Sequence, residues 1–174
     1  MIINKIKFLT KSGTTLIEVL LYSILVAFFV LLLTYYVSSI SSGKVRNDAQ
    51  AEVTDNAQIA LGEIEIALRN AREIITPANK GDTSSWLTII MPDTSEKTFD
   101  ISNGILRIKE GASDPVALTS TKTVVENLTF TNLSRTSTQG NIRIQMQIKH
   151  LNPSNDSEFN ANTTIDSSVT LRPN

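Results

Sequence analysis

Hydrophobic and polar positions follow three successive rhythms along this chain, and each predicts a different element. From Val19 to Val37 about 19 residues carry no formal charge, close to the ~20 that a bilayer-spanning helix needs. The run passes through Ser38-Ser39-Ile40-Ser41-Ser42-Gly43 into a second pattern. There Val53, Ala57, Ala60, Leu61, Ile64, Ala67, Leu68, Ala71, Ile74 and Ile75 recur three and four residues apart, the stripe of an amphipathic helix. Glu52, Asp55, Glu63, Glu65, Arg69 and Arg72 fill its other faces. Thr76-Pro77 is expected to end it, because proline disfavours α geometry in the residue before it. A continuous helix from Thr15 to Ile75 would be roughly 90 Å long at ~1.5 Å per residue. Gly43 costs ~1 kcal/mol relative to Ala within a helix, and the serines beside it compete for backbone hydrogen bonds. A bend or local melting is therefore expected there, rather than a domain boundary.

After Pro77 the rhythm shortens to two. Trp86-Leu87-Thr88-Ile89-Ile90-Met91 reads as a strand stopped by Pro92. Thr98–Ile101 and Ile105–Ile108 flank Asn103-Gly104, a hairpin signal because both residues accept positive φ. Val124 to Phe130 forms a further strand, with Val124, Leu128 and Phe130 on one face. Ile142, Ile144, Met146 and Ile148 alternate with Arg143, Gln145, Gln147 and Lys149, and Ile165, Val169 and Leu171 alternate with Asp166, Ser168 and Thr170. Five or six short strands with tight turns predict an antiparallel sheet wet on one face. Its dry face needs a cover, and the helical stripe ending at Ile75 supplies one. The expected fold is α+β: a long N-terminal helix, membrane-spanning in its first half, packed by its second half on a small antiparallel sheet. The segments are a leader over 1–13, an apolar helix over 14–37, its amphipathic continuation over 38–75 and a sheet head over 76–174.

Composition narrows the function. The chain has 174 residues and no Cys, so disulfide staples and thiolate metal sites are excluded. The leader holds three of the 16 basic residues (Lys5, Lys7 and Lys11) and none of the 17 acidic ones, so its loss takes the net charge from −1 to −4. Positive charge just before the apolar run favours keeping that end in the cytoplasm. A secretory signal peptide would have a shorter apolar core with its small-residue cleavage site after it. Here the small-residue site precedes the core. Glu18 stands at the mouth of the span, where a carboxylate costs on the order of a few kcal/mol unless it is paired.

The stretch Gly13-Thr14-Thr15-Leu16-Ile17-Glu18, between a basic leader and an apolar helix, resembles the N-terminus of type IV prepilins and type II secretion pseudopilins. Gly13 matches the residue before the scissile bond, and Thr15 to Glu18 match mature positions two to five. Thr14 stands where Phe is usual. The resemblance implies cleavage between Gly13 and Thr14 by a prepilin peptidase and N-methylation at Thr14. It also implies that Glu18 neutralises the N-terminal ammonium of a neighbouring subunit as helices enter a filament. The final Thr163–Arg172 stretch is similar to the closing strand of J-like pseudopilins and related larger minor pilins.

What the family implies is a structural subunit of pilus biogenesis, secretion or DNA uptake. Its partners are other pilins through the N-terminal helix, the peptidase, an inner-membrane assembly platform and membrane lipid. It would sit in the cytoplasmic membrane with its leader inside and head outside, then pass into an extracytoplasmic filament. The alternative is a single-pass, membrane-anchored module that binds a surface, a sugar or DNA and does not polymerise. For DNA, Arg107, Lys109, Arg143 and Lys149 lie on presumed wet strand faces, against an acidic overall balance.

Catalysis, a metal and a cofactor are not expected, nor is a small-molecule substrate. His150 has no motif around it, and no phosphate loop or zinc pattern occurs. The oxygen-rich segment Asn152–Glu158, followed by Asp166, has the hard ligands calcium takes, but its spacing matches no defined loop and reads as a solvated turn. The Asn-X-Ser/Thr triplets at Asn127, Asn132, Asn155 and Asn162 are assigned no role.

Overall fold

The structure, a computed structural model, describes residues 15–135 and 140–172. One helix, α1, runs Leu16–Asn70. Among the described residues nine strands follow: β1 Glu73–Thr76, β2 Thr83–Ser84, β3 Leu87–Ile90, β4 Glu96–Ser102, β5 Ile105–Glu110, β6 Val116–Ala117, β7 Thr123–Asn132, β8 Asn141–His150 and β9 Asn162–Thr170, with a 3-10 turn at Ser157–Phe159. The architecture is α+β and pilin-like, a long apolar N-terminal helix followed by antiparallel sheets that cover its second half. The chain divides into two compact units between Ser41 and Ser42, within the helix.

In the unit that begins at Ser42, Ala49, Val53, Ala57, Ala60, Ile64, Ala67 and Leu68 are buried, the stripe expected from the spacing. Five of these seven are Ala or Val, and small side chains let a helix lie close to a sheet. Ile64 and Leu68, both fully buried, supply the bulk. They share one contiguous core with Leu87, Ile89, Phe99 and Leu106 from one sheet and Phe130, Ile142, Ile144, Met146 and Ile148 from another. Each such aliphatic side chain contributes roughly 1.5–3 kcal/mol by leaving water.

Four expectations are corrected. The helix ends at Asn70 rather than Ile75, because the following backbone finds better partners: Arg72 N–H donates to Ile90 O at 2.8 Å, and β1 pairs antiparallel with β3. Ile74 and Ile75 therefore belong to a strand. The sheet is two sheets, one in the order β1-β3-β4-β5-β6 and one in the order β2-β7-β8-β9. Ser38 to Gly43 remain helical, so the local melting expected there is not seen, and the division between the two units falls at Ser41 and Ser42, where no boundary was expected. Finally, a bulge between Val125 and Asn127 shifts the pleat, and Val125 rather than Val124 joins Leu128 and Phe130 in the core. One extra residue in a strand is enough to reverse which side chains face inward.

The hairpin at Asn103-Gly104 forms as expected, with φ of 52° and 75°. Its tip is tied to the second sheet, since Val125 N–H donates to Gly104 O at 2.8 Å. Asn132, buried at the end of β7, anchors the chain after β1 by donating its amide to Pro77 O at 2.8 Å. The outer strand β9 lies beside the helix. Gln50 Nε2 donates to Asn162 O at 3.4 Å, Ser167 Oγ donates to Glu65 Oε1 at 2.9 Å, and Arg172 N–H donates to Arg69 O at 3.3 Å.

Candidate functional site: an acid at the head of an exposed apolar helix

The first turn of α1 is a capped N-terminus. Thr15 stands at the cap, its Oγ1 accepting from the Glu18 N–H at 3.3 Å and its carbonyl accepting from Glu18 and Val19. Thr15-Leu16-Ile17-Glu18 has the spacing of a capping box, and an acid in the first turn complements the positive end of the helix dipole. Glu18 therefore has a local reason to be where it is. Its carboxylate does not turn back to the Thr15 backbone. Instead Oε1 accepts from the Tyr22 hydroxyl, one helical turn ahead, at 3.3 Å.

From Val19 to Val37 the helix is apolar on all sides and uncovered. Leu16 is 82% exposed, Leu31 70% and Tyr35 77%. A helix hydrophobic all round requires an apolar surrounding of its own, and this one is long and apolar enough to cross a membrane. The hydroxyls of Ser23 and Thr34 donate to the carbonyls of Val19 and Val30 at 2.8 and 2.9 Å, which satisfies them without water. Phe28 and Phe29 meet edge to face at 6.3 Å between ring centroids.

Of the residues singled out in the sequence, Glu18 is placed at this mouth. Gly13, Thr14, Lys5, Lys7 and Lys11 lie outside the described residues. Two residues that sequence reasoning did not single out, Thr15 as cap and Tyr22 as hydrogen-bond donor to the acid, belong to the same turn. The i, i+4 spacing of Glu18 and Tyr22 was the available signal.

The four cations proposed for DNA are not brought together in one stripe. Arg107 and Lys109 lie on β5, while Arg143 and Lys149 lie on β8 of the other sheet. Arg107 pairs with Asp100 at 2.6 Å, Arg143 pairs with Asp166, and Lys149 pairs with Glu126. Hydrogen bonding to Arg143 holds the Asp166 carboxyl below the usual carboxylate range, so that pair stays ionised through neutral pH. His150 stacks on Phe159 with centroids 5.4 Å apart, at the end of β8.

A second cluster fixes the head to its helix. Glu52 accepts from Ser120 Oγ at 3.0 Å and faces the Lys122 ammonium at 3.5 Å. Asn56 Oδ1 accepts from the Ser120 N–H at 2.7 Å. The Ser120 hydrogen bond, with Lys122 behind it, holds the Glu52 carboxyl below its ordinary value.

Compared with family models, with curated proteins and with solved structures, the chain matches none. Its relationships therefore rest on its own residues and fold.

Proposed function

We propose that this chain is a minor pilin or pseudopilin, cleaved after Gly13 by a prepilin peptidase and assembled through its N-terminal helix into a type IV pilus-like filament. The observation that carries the reading is a single carboxylate, Glu18, in the first turn of a helix whose next residues, Val19 to Val37, are uncharged and exposed. Such a helix is stored in lipid or among other helices, because both remove its side chains from water. The acid then becomes the one group in the turn that demands an ionic partner. Cleavage before Thr14 would create an ammonium four residues from Glu18, and the corresponding ammonium of an adjacent subunit would neutralise it.

In this reading the leader stays cytoplasmic, the helix crosses the inner membrane and the head faces outward until a motor complex lifts the subunit into a filament. Pilus biogenesis, secretion and DNA uptake all use this mechanics. The head performs no chemistry of its own; it sets which neighbours the subunit accepts.

Intact mass and N-terminal sequencing of the protein from its native membranes test the proposal. A mature chain beginning at Thr14 is expected, and the same mass reads whether Thr14 is methylated. A chain retaining Met1 to Gly13 in cells with active prepilin peptidase would overturn it in favour of a membrane-anchored module that does not polymerise.

A further inference from the structure

The end of β8 and the segment leading into β9 enclose a cleft of about 420 Å³, within the roughly 300–1,000 Å³ typical of small-molecule sites. Its chemistry is distinctive in being polar yet locally neutral. The two charged residues on its wall, Glu126 and Lys149, are paired with each other. The remaining polar side chains are carboxamides and the His150 imidazole, whose buried Nδ1 has no hydrogen-bond partner among the described residues.

Asn152, Asn160 and Gln147 are held by hydrogen bonds, and Gln147, Asn155 and Asn162 have bonding capacity to spare. Asn152 knits the segment together: its Nδ2 donates to Asp156 O at 2.8 Å and to Asn160 Oδ1 at 3.0 Å, and its Oδ1 accepts from Asp156 N–H at 3.0 Å. Gln147 uses only its carbonyl oxygen, accepting from Asn127 at 3.3 Å, which leaves its NH₂ group. The side chains of Asn155 and Asn162 make no hydrogen bond within the described residues. Each carboxamide offers both donors and an acceptor in one plane. The stacked His150–Phe159 pair forms an aromatic wall.

We propose that this cleft binds a neutral sugar unit, of roughly one or two rings. A sugar hydroxyl donates and accepts at one atom, which matches a carboxamide that does both. The C–H face of the ring suits the electron-rich face of an aromatic wall. An apolar side chain would strand the carboxamides without partners, a cost of about 1–3 kcal/mol each. A charged ligand would meet an ion pair that is already neutralised. The fixed Asn152 scaffold reduces the ordering cost that a flexible loop would add on binding.

Saturation-transfer NMR tests this on the full chain in a zwitterionic, sugar-free detergent, with glucose, galactose, N-acetylglucosamine, lactose and chitobiose as probes. Transfer from at least one probe is expected, weakened about tenfold in affinity by Gln147→Ala with Asn162→Ala, the effect of two lost neutral hydrogen bonds. Asn141→Ala, at the opposite end of β8, is expected to leave binding unchanged. Asn162→Trp, at an exposed position, fills the cleft without touching the core and serves if the double variant fails to fold. No transfer from any of the five sugars, undiminished transfer in the folded variants, or a response only to an acidic or basic peptide would overturn the proposal.

Discussion

The Tyr22 hydroxyl donates to Glu18 Oε1 at 3.3 Å across one turn of an exposed helix, so the acid at the mouth of the apolar span already has a neutral partner and lacks only an ionic one. In lipid that distinction matters, because a hydrogen bond relieves part of the cost of the charge and leaves the rest for a cation. On the proposed filament assembly, Glu18→Ala is expected to lower filament recovery in sheared fractions about tenfold or more without changing the amount of protein in the membrane fraction. Glu18→Gln keeps the shape and loses the charge, and should fail equally. Normal assembly of Glu18→Gln would refute charge pairing. Tyr22→Phe removes one hydrogen bond and should stay within about fivefold of the parent.

The hairpin tip allows a sharper test of packing. Gly104 sits at φ 75°, and a Cβ placed there would come within 2.8 Å of Val124 Cγ1. Gly104→Ala is expected to destabilise the head by about 2 kcal/mol, from the left-handed backbone and the clash together. In a Val124→Ala background the loss should shrink by about 1 kcal/mol, since the steric part disappears and the backbone part stays. Thermal melts of the four proteins give the cycle. Equal losses in both backgrounds would show that the contact contributes nothing.

Acid sensitivity follows from the carboxylates that face the head's cations and hydroxyls. The Glu52 value is lowered chiefly by the Ser120 hydrogen bond, and that of Asp166 by Arg143. Groups with lowered folded values stabilise the head fully above their ordinary unfolded values. That stabilisation is lost as the pH falls through the lowered ones. Melting temperature should therefore hold near neutral pH and decline once the pH drops below about 4.5. Glu52→Gln should flatten part of that decline. An unchanged acid limb in this variant would remove Glu52 from the account.

Asn132 is buried, and its amide is the donor that meets Pro77 O. It also accepts from the Ser134 N–H at 2.9 Å. Asn132→Ala would leave a buried carbonyl and a backbone N–H without their partners, at a cost of about 1–3 kcal/mol. Denaturant unfolding should show a lower midpoint with an unchanged slope. A midpoint within error of the parent would mean that water replaces both bonds.

Elements fixed by local rules were legible in the sequence. Asn103-Gly104 announced its turn because both positions must accept positive φ, and both do. The Ile142–Ile148 alternation announced β8, and the three-four spacing from Val53 to Leu68 announced the buried helix face. Decisions made by distant partners were not legible. Ile74 and Ile75 continue a helical spacing, yet they belong to β1, where Ile74 pairs with Ile89 and Ile75 falls at a bulge, and the Ile90 carbonyl captures the Arg72 N–H. Nothing local separates one sheet from two, and β2 and β6, at two residues each, exist only through their neighbours. The bulge at Glu126 reversed the inward order of Val124 and Val125 without a Gly to mark it. At the start of α1, Glu18 stood out by charge alone. Of the cleft beside β8 only the oxygen-rich Asn152–Glu158 loop stood out, as a solvated turn, because Gln147 and Asn162 join it from two strands that the fold alone brings together.

The contacts between α1 and β9 give the head helix a protective duty. Three of the four outermost strands are short, β1 with four residues and β2 and β6 with two each, whereas β9 has nine. A long strand with a neighbour on one side only is a template for a foreign strand, and β9 contains neither Lys nor Pro to deter one. Gln50 and Glu65 meet it instead, at Asn162 and Ser167, and Arg69 meets Arg172 two residues past its end. A chain trimmed past Gln50 to make it soluble would uncover the Asn162 end of that strand, trading a lipid-seeking surface for a self-adhesive one.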